Sequence, residues 1–152
     1  MVEQRRIAAA NYFLGDATAT TANTTINFGY GSNTTIRFSQ GDASNHYTIA
    51  VAAYTAPTPR VHTFINGTIA ALTVPNQHYL NGSATASVKT SVGTAALNTL
   101  SAYANARIGL HGSSYFNGDI GEIIIYSRAL KNEERVAVEA YLLKKWGIAK
   151  AN

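Results

Sequence analysis

The chain has 152 residues, with 12 Lys plus Arg against 8 Asp plus Glu, no Cys and 13% charged residues, which bounds it to one domain, residues 1–152, long enough to bury a core without staples. The absence of Cys excludes a disulfide framework, a thiolate metal site and a cysteine nucleophile, but not an extracellular life. The net charge of +4 is modest and spread thinly, and no basic face with aromatic neighbours emerges, so nucleic acid is not an expected partner.

Between Gly15 and Ala106 the charged residues are Asp16, Arg37, Asp42, Arg60 and Lys89, in a background of Thr, Ala, Asn and Ser. Short β-branched and aromatic runs recur there, which argues for strands rather than disorder. Thr24, Ile26, Phe28 and Tyr30 share one face and are closed by Gly31-Ser32-Asn33; Thr34, Ile36, Phe38 and Gln40 repeat the pattern up to Gly41-Asp42. His46 to Tyr54 follows, ending before Pro57 and Pro59, which cannot donate to a ladder. Val61 to Ile65 is the next strand. Tyr79-Leu80, Asn81-Gly82 and Ser83 to Val88 read as a hairpin, because Asn-Gly takes the positive φ values of a type I′ turn. Ala106 to Leu110 and Asp119 to Tyr126 are the last strands, the second carrying Ile120, Ile123, Ile124 and Ile125 as a run suited to burial on both faces.

The period then changes. From Asn132 to Trp146 the spacing is helical, with Val138, Leu142 and Trp146 at i, i+4, i+8 and Val136 and Tyr141 beside that stripe. Glu133 and Glu134 open the helix, Lys144 and Lys145 close it in accord with the macrodipole, and Gly147 is the stop. Many short strands with one terminal helix predict an antiparallel sandwich. No window approaches the ~18 apolar residues of a membrane span, and residues 1–10 lack the sustained apolar core of a signal peptide.

The run from Phe116-Asn117-Gly118-Asp119-Ile120-Gly121-Glu122 through Tyr126, Arg128 and Leu130, with Glu133-Glu134-Arg135, Tyr141-Leu142 and Lys145-Trp146-Gly147-Ile148, resembles the C-terminal signature of laminin G-like domains in the concanavalin A-like lectin/glucanase superfamily. Ile26 to Tyr30, Tyr79 to Gly82 and Ala106 to Gly109 resemble its weaker landmarks. The resemblance implies an all-β, antiparallel jelly-roll β-sandwich with one short C-terminal α-helix. It also implies strands ahead of the Tyr12 to Asp16 region, so the chain is read as starting inside the domain, either as a shortened version with its edges covered differently or with the sheet completed by another chain, and self-association into a homo-oligomer is expected. The family places Ser, Thr or Asp before its helix where Lys131 stands here, and Asn132 is the substitute cap. Glu122, beside an isoleucine run, calls for a partner such as Arg128 or Arg107 unless it faces solvent; Tyr126 and Trp146 are expected to anchor the helix.

The superfamily includes glucanases, but no alternating acidic motif of the retaining kind is present, and Asp119 and Glu122, three apart on a strand, face opposite ways. An enzyme is therefore not expected. His46, His62, His78 and His111 are isolated from one another in sequence and read as surface or satisfied strand residues rather than ligands. Calcium is the ion the resemblance implies, yet Asp16, Asp42 and Asp119 form no dense acidic loop, so no metal residues are assigned and no other cofactor is expected. For a ligand, Tyr30, Tyr54, Tyr79 and Tyr115 lie near turn signals as candidate platforms, with Tyr103 a further one. The sequons at Asn23, Asn33, Asn66 and Asn81 are competent acceptors in a secretory setting. The expected function is non-catalytic recognition of glycans or protein surfaces, extracellular or on a virus particle. The alternative is a structural self-assembling protein forming an oligomer, shell or filament.

Overall fold

The computed structural model describes residues 1–16, 26–40, 45–65, 77–85, 87–91 and 106–151. In chain order the elements are β1 (Val2–Arg5), β2 (Asn11–Asp16), β3 (Ile26–Tyr30), β4 (Thr35–Gln40), β5 (Asn45–Ala50), β6 (Arg60–Ile65), β7 (Gln77–Leu80), β8 (Ser83–Thr85), β9 (Ser87–Ser91), β10 (Ala106–Ile108), β11 (Leu110–His111), β12 (Ser114–Tyr115), β13 (Gly118–Glu122) and α1 (Asn132–Trp146). One sheet runs β13-β1-β6-β7-β8 and the other β10-β2-β3-β4-β5-β9, with β11 and β12 as a separate pair. Between β8 and β9 the chain crosses from the first sheet to the far edge of the second, so the strand expected over 83–88 is divided between the two layers.

Period-2 alternation gives the first sheet two different faces. Val2 and Val61 point outward and meet Leu142 and Leu143 of α1, with Ile124, Val138 and Ile148 packed around them. The opposite face meets the second sheet, where Phe13, Tyr30, Ile36 and Ile49 form the buried centre and Phe28, Val51, Phe64 and Phe116 close in on it. Phe64 of β6 stacks on Phe38 of β4 with centroids 3.9 Å apart, which ties the layers directly. This is the β-sandwich that the sequence pattern predicts.

Several expectations need correcting. A strand does precede Asn11–Asp16: β1 lies between β13 and β6, with Glu3 opposite Ile120 on one side and Arg60 on the other. The strand expected over 119–126 stops at Glu122, where the ladder with β1 ends at the Val2–Glu122 pair; Ile125 beyond it is 76% exposed rather than buried on both faces. The Asn81-Gly82 turn is as expected, with φ of 49° and 81°, and the Asn81 side chain accepts the Val61 N–H at 2.7 Å.

Helix α1 has the expected bounds, and Leu142 and Val138 of the expected stripe face the core, but Arg135 and Glu139 share that face while Val136 and Tyr141 do not. Arg135, Glu139, Leu142 and Leu143 point inward, while Val136, Tyr141 and Trp146 are largely exposed. The charged pair tolerates burial because it is internally matched at i, i+4 and the Arg135 guanidinium lies 3.6 Å from the Tyr79 ring centroid. Asn132 is the first helical residue, its Oδ1 accepting from Arg135 at 2.7 Å, and is not the cap. Lys131 occupies the cap position, and its backbone N–H donates to Glu134 Oε2 at 2.8 Å. Glu122 has structural partners, but they are Lys145 Nζ at 3.0 Å and Trp146 Nε1 at 3.1 Å. Arg128 instead grips Glu134 through both oxygens.

Trp146 does anchor the helix, over Gly121: a Cβ there would stand 2.9 Å from Trp146 Cη2. Deleting most of the Leu142 side chain should cost about 2–4 kcal/mol in urea denaturation, whereas Val136→Ala, 46% exposed, should change stability by less than about 0.5 kcal/mol. Equal effects would contradict the assigned helix face.

Candidate functional site

The inward face of the first sheet is polar where a sandwich interior is ordinarily apolar. Glu3 and Arg5 of β1, His62 of β6 and His78 of β7 are each at most 1% exposed. The β6–β7 register sets His62 opposite Leu80 and Phe64 opposite His78, so the two histidines are diagonal neighbours on one face. Their hydrogen bonds form a continuous array. Thr85 Oγ1 lies 2.8 Å from His78 Nδ1, His78 Nε2 lies 3.1 Å from His62 Nδ1, and His62 Nε2 lies 3.0 Å from Glu3 Oε1. The Tyr30 hydroxyl, from the other sheet, donates to the same Glu3 oxygen at 2.8 Å and accepts from Arg60 Nη1 at 2.8 Å.

A carboxylate only accepts, and this orders the protons along the array. His62 carries its proton on Nε2, facing Glu3, and its bare Nδ1 accepts from His78 Nε2–H; the Thr85 hydroxyl, beside His78 Nδ1, also donates to the His78 carbonyl at 3.2 Å. Both imidazoles are neutral in this arrangement. Burial lowers the pKa of His62, against the opposing hydrogen bond and charge of Glu3. Burial, then the neighbouring His62, brings His78 down to about 2. An imidazole so weakly basic is a poor general base, which disfavours reading Thr85–His78–His62–Glu3 as a nucleophile and its relay. Tyr30 is pushed up, first by burial and then by the Glu3 charge, and stays a phenol.

The Tyr30 end of the array lies against buried Arg5 and half-buried Arg60. The Arg5 guanidinium lies 3.8 Å from the Tyr30 ring centroid and 5.3 Å from that of Tyr54, and its Nη2 donates to the Asn33 carbonyl at 2.9 Å. Tyr54 is held across this corner by two bonds: its N–H donates to Asn33 Oδ1 at 2.8 Å and its hydroxyl to the Arg6 carbonyl at 2.9 Å. Burial, foremost, lowers the Arg5 pKa, and Arg60 adds repulsion.

Of the tyrosines singled out from sequence, Tyr30 and Tyr54 thus meet around Arg5. Tyr30 is fully buried with its hydroxyl engaged on both sides, a correction to its reading as a surface platform: the alternation that placed it near a turn also pointed it into the core. Tyr79 is half-buried beneath Arg135 of the helix. Tyr115 stands apart on the small β11–β12 pair and is 71% exposed. Tyr103 lies outside the described residues. His62 and His78, distant in sequence, are satisfied strand residues as expected, and the fold brings them into contact. Among the described residues no group of three or more His, Asp or Glu side chains is placed to hold a metal ion; Asp119 is paired with Arg6 at 2.7 Å, and Asp42 lies outside the described residues. Among the described residues no helix is long and apolar enough to cross a membrane. Arg5, the residue that joins the tyrosines, carried no sequence signal beyond its pairing with Arg6.

A family model described as the concanavalin A-like lectin/glucanases superfamily, of the third laminin G class, matches residues 4–134. No curated protein and no solved structure matches the chain.

The buried histidines have a consequence for stability. Unfolded, each binds a proton at about pH 6.5; folded, both titrate lower. Below that pH the unfolded chain therefore holds more protons, and stability falls as pH drops. The contribution is complete above about pH 6.5 and declines by up to about 1.4 kcal/mol per pH unit for each histidine. Urea midpoints measured from pH 7.5 to 5 should show this slope, and His78→Gln should flatten it; a wild-type profile level over that range would contradict the buried neutral pair.

Proposed function

Because the chain belongs to the concanavalin A-like lectin/glucanase superfamily as a laminin G-like domain, we propose that it is a non-catalytic recognition module that binds glycans or a protein surface, outside the cell or on a virus particle. The observation that carries the reading is the convergence of Tyr54, Arg5, Arg60 and Asn33 at one corner of the sandwich, an aromatic ring beside two guanidinium groups and an asparagine that accepts from both Arg5 and Tyr54. Sugar and peptide surfaces are bound by this mixture of flat apolar faces and oriented polar groups. Laminin G-like domains are typically binding modules, although the superfamily includes glycosidases. The state of the carboxylates supports binding over hydrolysis. Glu3 is held by His62, Asp119 by Arg6, Glu122 by Lys145, Glu134 by Arg128 and Glu139 by Arg135, whereas glycoside cleavage needs two carboxyl groups facing one sugar.

A glycan array run with and without calcium tests this. A defined sugar should bind, and Tyr54→Ala should weaken it about fivefold or more, the loss of a stacking face being worth on the order of 1 kcal/mol; Tyr115→Ala in parallel tests the exposed tyrosine. An array without a reproducible ligand, together with a protein-binding screen that is equally blank, would sink the reading.

The alternative, a structural self-assembling protein, has its own support: Ile125, Tyr126, Tyr141 and Trp146 expose apolar surface at or near the sheet edge formed by β13. An edge strand with apolar neighbours invites pairing. Light scattering at high concentration should then show an oligomer that Ile125→Asp disperses, and a clean monomer would exclude assembly through this edge.

A further inference from the structure

Asn81 joins three parts of the molecule. Its N–H donates to the Val61 carbonyl at 2.8 Å and its Oδ1 accepts the Val61 N–H at 2.7 Å, which ties the β7–β8 turn to β6. Its carbonyl accepts the Ala151 N–H at 3.0 Å, and Ser83 Oγ donates to the Ala151 carbonyl at 2.6 Å, so residues 148–151, leaving α1, are strapped across the turn. Ile148 packs into the cluster beneath the helix. A Cβ on Gly82 would stand 3.5 Å from Lys150 Cγ and 3.6 Å from Leu143 Cδ1, so the strap and the helix lie against the Asn81-Gly82 pair itself.

An Asn-Gly pair carries its own chemistry. The glycine nitrogen, losing its proton, attacks the asparagine Cγ; the new C–N bond closes a succinimide ring, the Cγ–Nδ2 bond breaks and ammonia leaves. Water then opens the ring at either carbonyl, giving aspartate or isoaspartate, and isoaspartate carries one extra carbon in the main chain. Glycine in second place puts no side chain in the way of the attack. At Asn81 two contacts oppose it. The Gly82 nitrogen lies in the same rigid peptide plane as the Asn81 carbonyl, so the Ala151 bond that holds the oxygen also holds the nucleophile. The electrophilic Cγ is held toward Val61 by the bond on Oδ1. Ring closure turns the two groups toward each other and so breaks both bonds.

We propose that Asn81-Gly82 is a latent deamidation site, kept silent by the 148–151 strap and reactive when the strap lifts. The step is one-way. A two-residue turn sets the register in which Leu80 faces Ser83. Isoaspartate lengthens that turn by one main-chain atom, so the Val61 and Ala151 bonds are not both remade, and the opening is recorded in the covalent chain.

The test is peptide mapping by mass spectrometry of the intact chain aged in mildly alkaline buffer, with isoaspartate identified by enzymatic methylation. The other Asn-Gly pairs are Asn66-Gly67, outside the described residues, and Asn117-Gly118, whose Asn117 carbonyl accepts the Arg6 N–H at 2.9 Å. Asn81 should deamidate at least about tenfold more slowly in the folded chain than in urea, because reaction is confined to the open fraction. Ser83→Ala removes one strap bond; it should speed the reaction at Asn81 about fivefold, the worth of one net hydrogen bond, and leave Asn117 at its wild-type rate. Isoaspartyl material separated by ion exchange should unfold at lower urea than Asn81→Asp, which has the same charge without the extra atom. Equal rates at Asn81 in the folded and urea-unfolded chain overturn the protection. Equal acceleration of Asn81 and Asn117 by Ser83→Ala, or none at Asn81, overturns the strap as its cause, and isoaspartyl chains as stable as Asn81→Asp overturn the one-way step.

Discussion

The Glu3 carboxylate is the constraint around which the sandwich is arranged. One oxygen accepts from Tyr30 of the second sheet and from His62 of the first, so a single buried acceptor bridges β1, β3 and β6. Its remaining oxygen has no hydrogen-bond partner, which makes the position expensive as well as central. A carboxylate oxygen accepting there fixes the tautomer of His62 and, through it, that of His78. Apolar residues between two sheets can slide by a fraction of a side chain at modest cost. A directional array cannot, because each donor has one acceptor. The rings of Phe13, Phe28 and Phe64 pack around this array, and their low-dielectric surroundings strengthen it while keeping the imidazoles neutral.

The helix repeats the same principle on the outer face. Arg135 and Glu139 point inward together with Leu142 and Leu143, and the guanidinium rests on Tyr79. The apolar part of this contact supplies the driving force and the polar part supplies the register. At the far end Trp146 lies on Gly121, where any side chain would displace it, and Glu122 ties both Trp146 and Lys145 to β13. One sheet therefore carries polar anchors on both faces.

Much of the fold was legible because most strands obey simple alternation. The strands over 26–30, 35–40 and 60–65, the Asn-Gly hairpin and the helix bounds all follow from periodicity and turn chemistry. What was missed has physical reasons. In β1 the residues that face the other sheet are Glu3 and Arg5, so the inward positions look like outward ones. In β2 a register shift between Tyr12 and Leu14 leaves Asn11, Tyr12 and Phe13 all buried, which erases the period of two. The β8–β9 crossover joins Thr85 to Ser87 with no change in composition to mark it. For the site, turn proximity picked out Tyr30 and Tyr54 but could not show that Arg5 lies between them. His62 and His78, sixteen residues apart, become neighbours only through the β6–β7 register. The helix stripe found Leu142 and Val138 but missed Arg135 and Glu139, because an internally matched ion pair can face inward as well as a hydrophobic residue.

The chain contains one tryptophan, and its position makes it a selective optical reporter. The Trp146 indole sits against Gly121 with its N–H on Glu122 and the Lys145 ammonium 5.9 Å from its ring. Its emission accordingly follows the docking of the last helical turn onto β13. It is remote in the chain from the Glu3 array and on the other side of the first sheet, so intrinsic tryptophan fluorescence watches the outer face while the Tyr30 phenol, bonded to Glu3, reports the inner one. If the helix peels away before the two sheets separate, the two signals will not coincide, and the hierarchy of the sandwich can be read without a label.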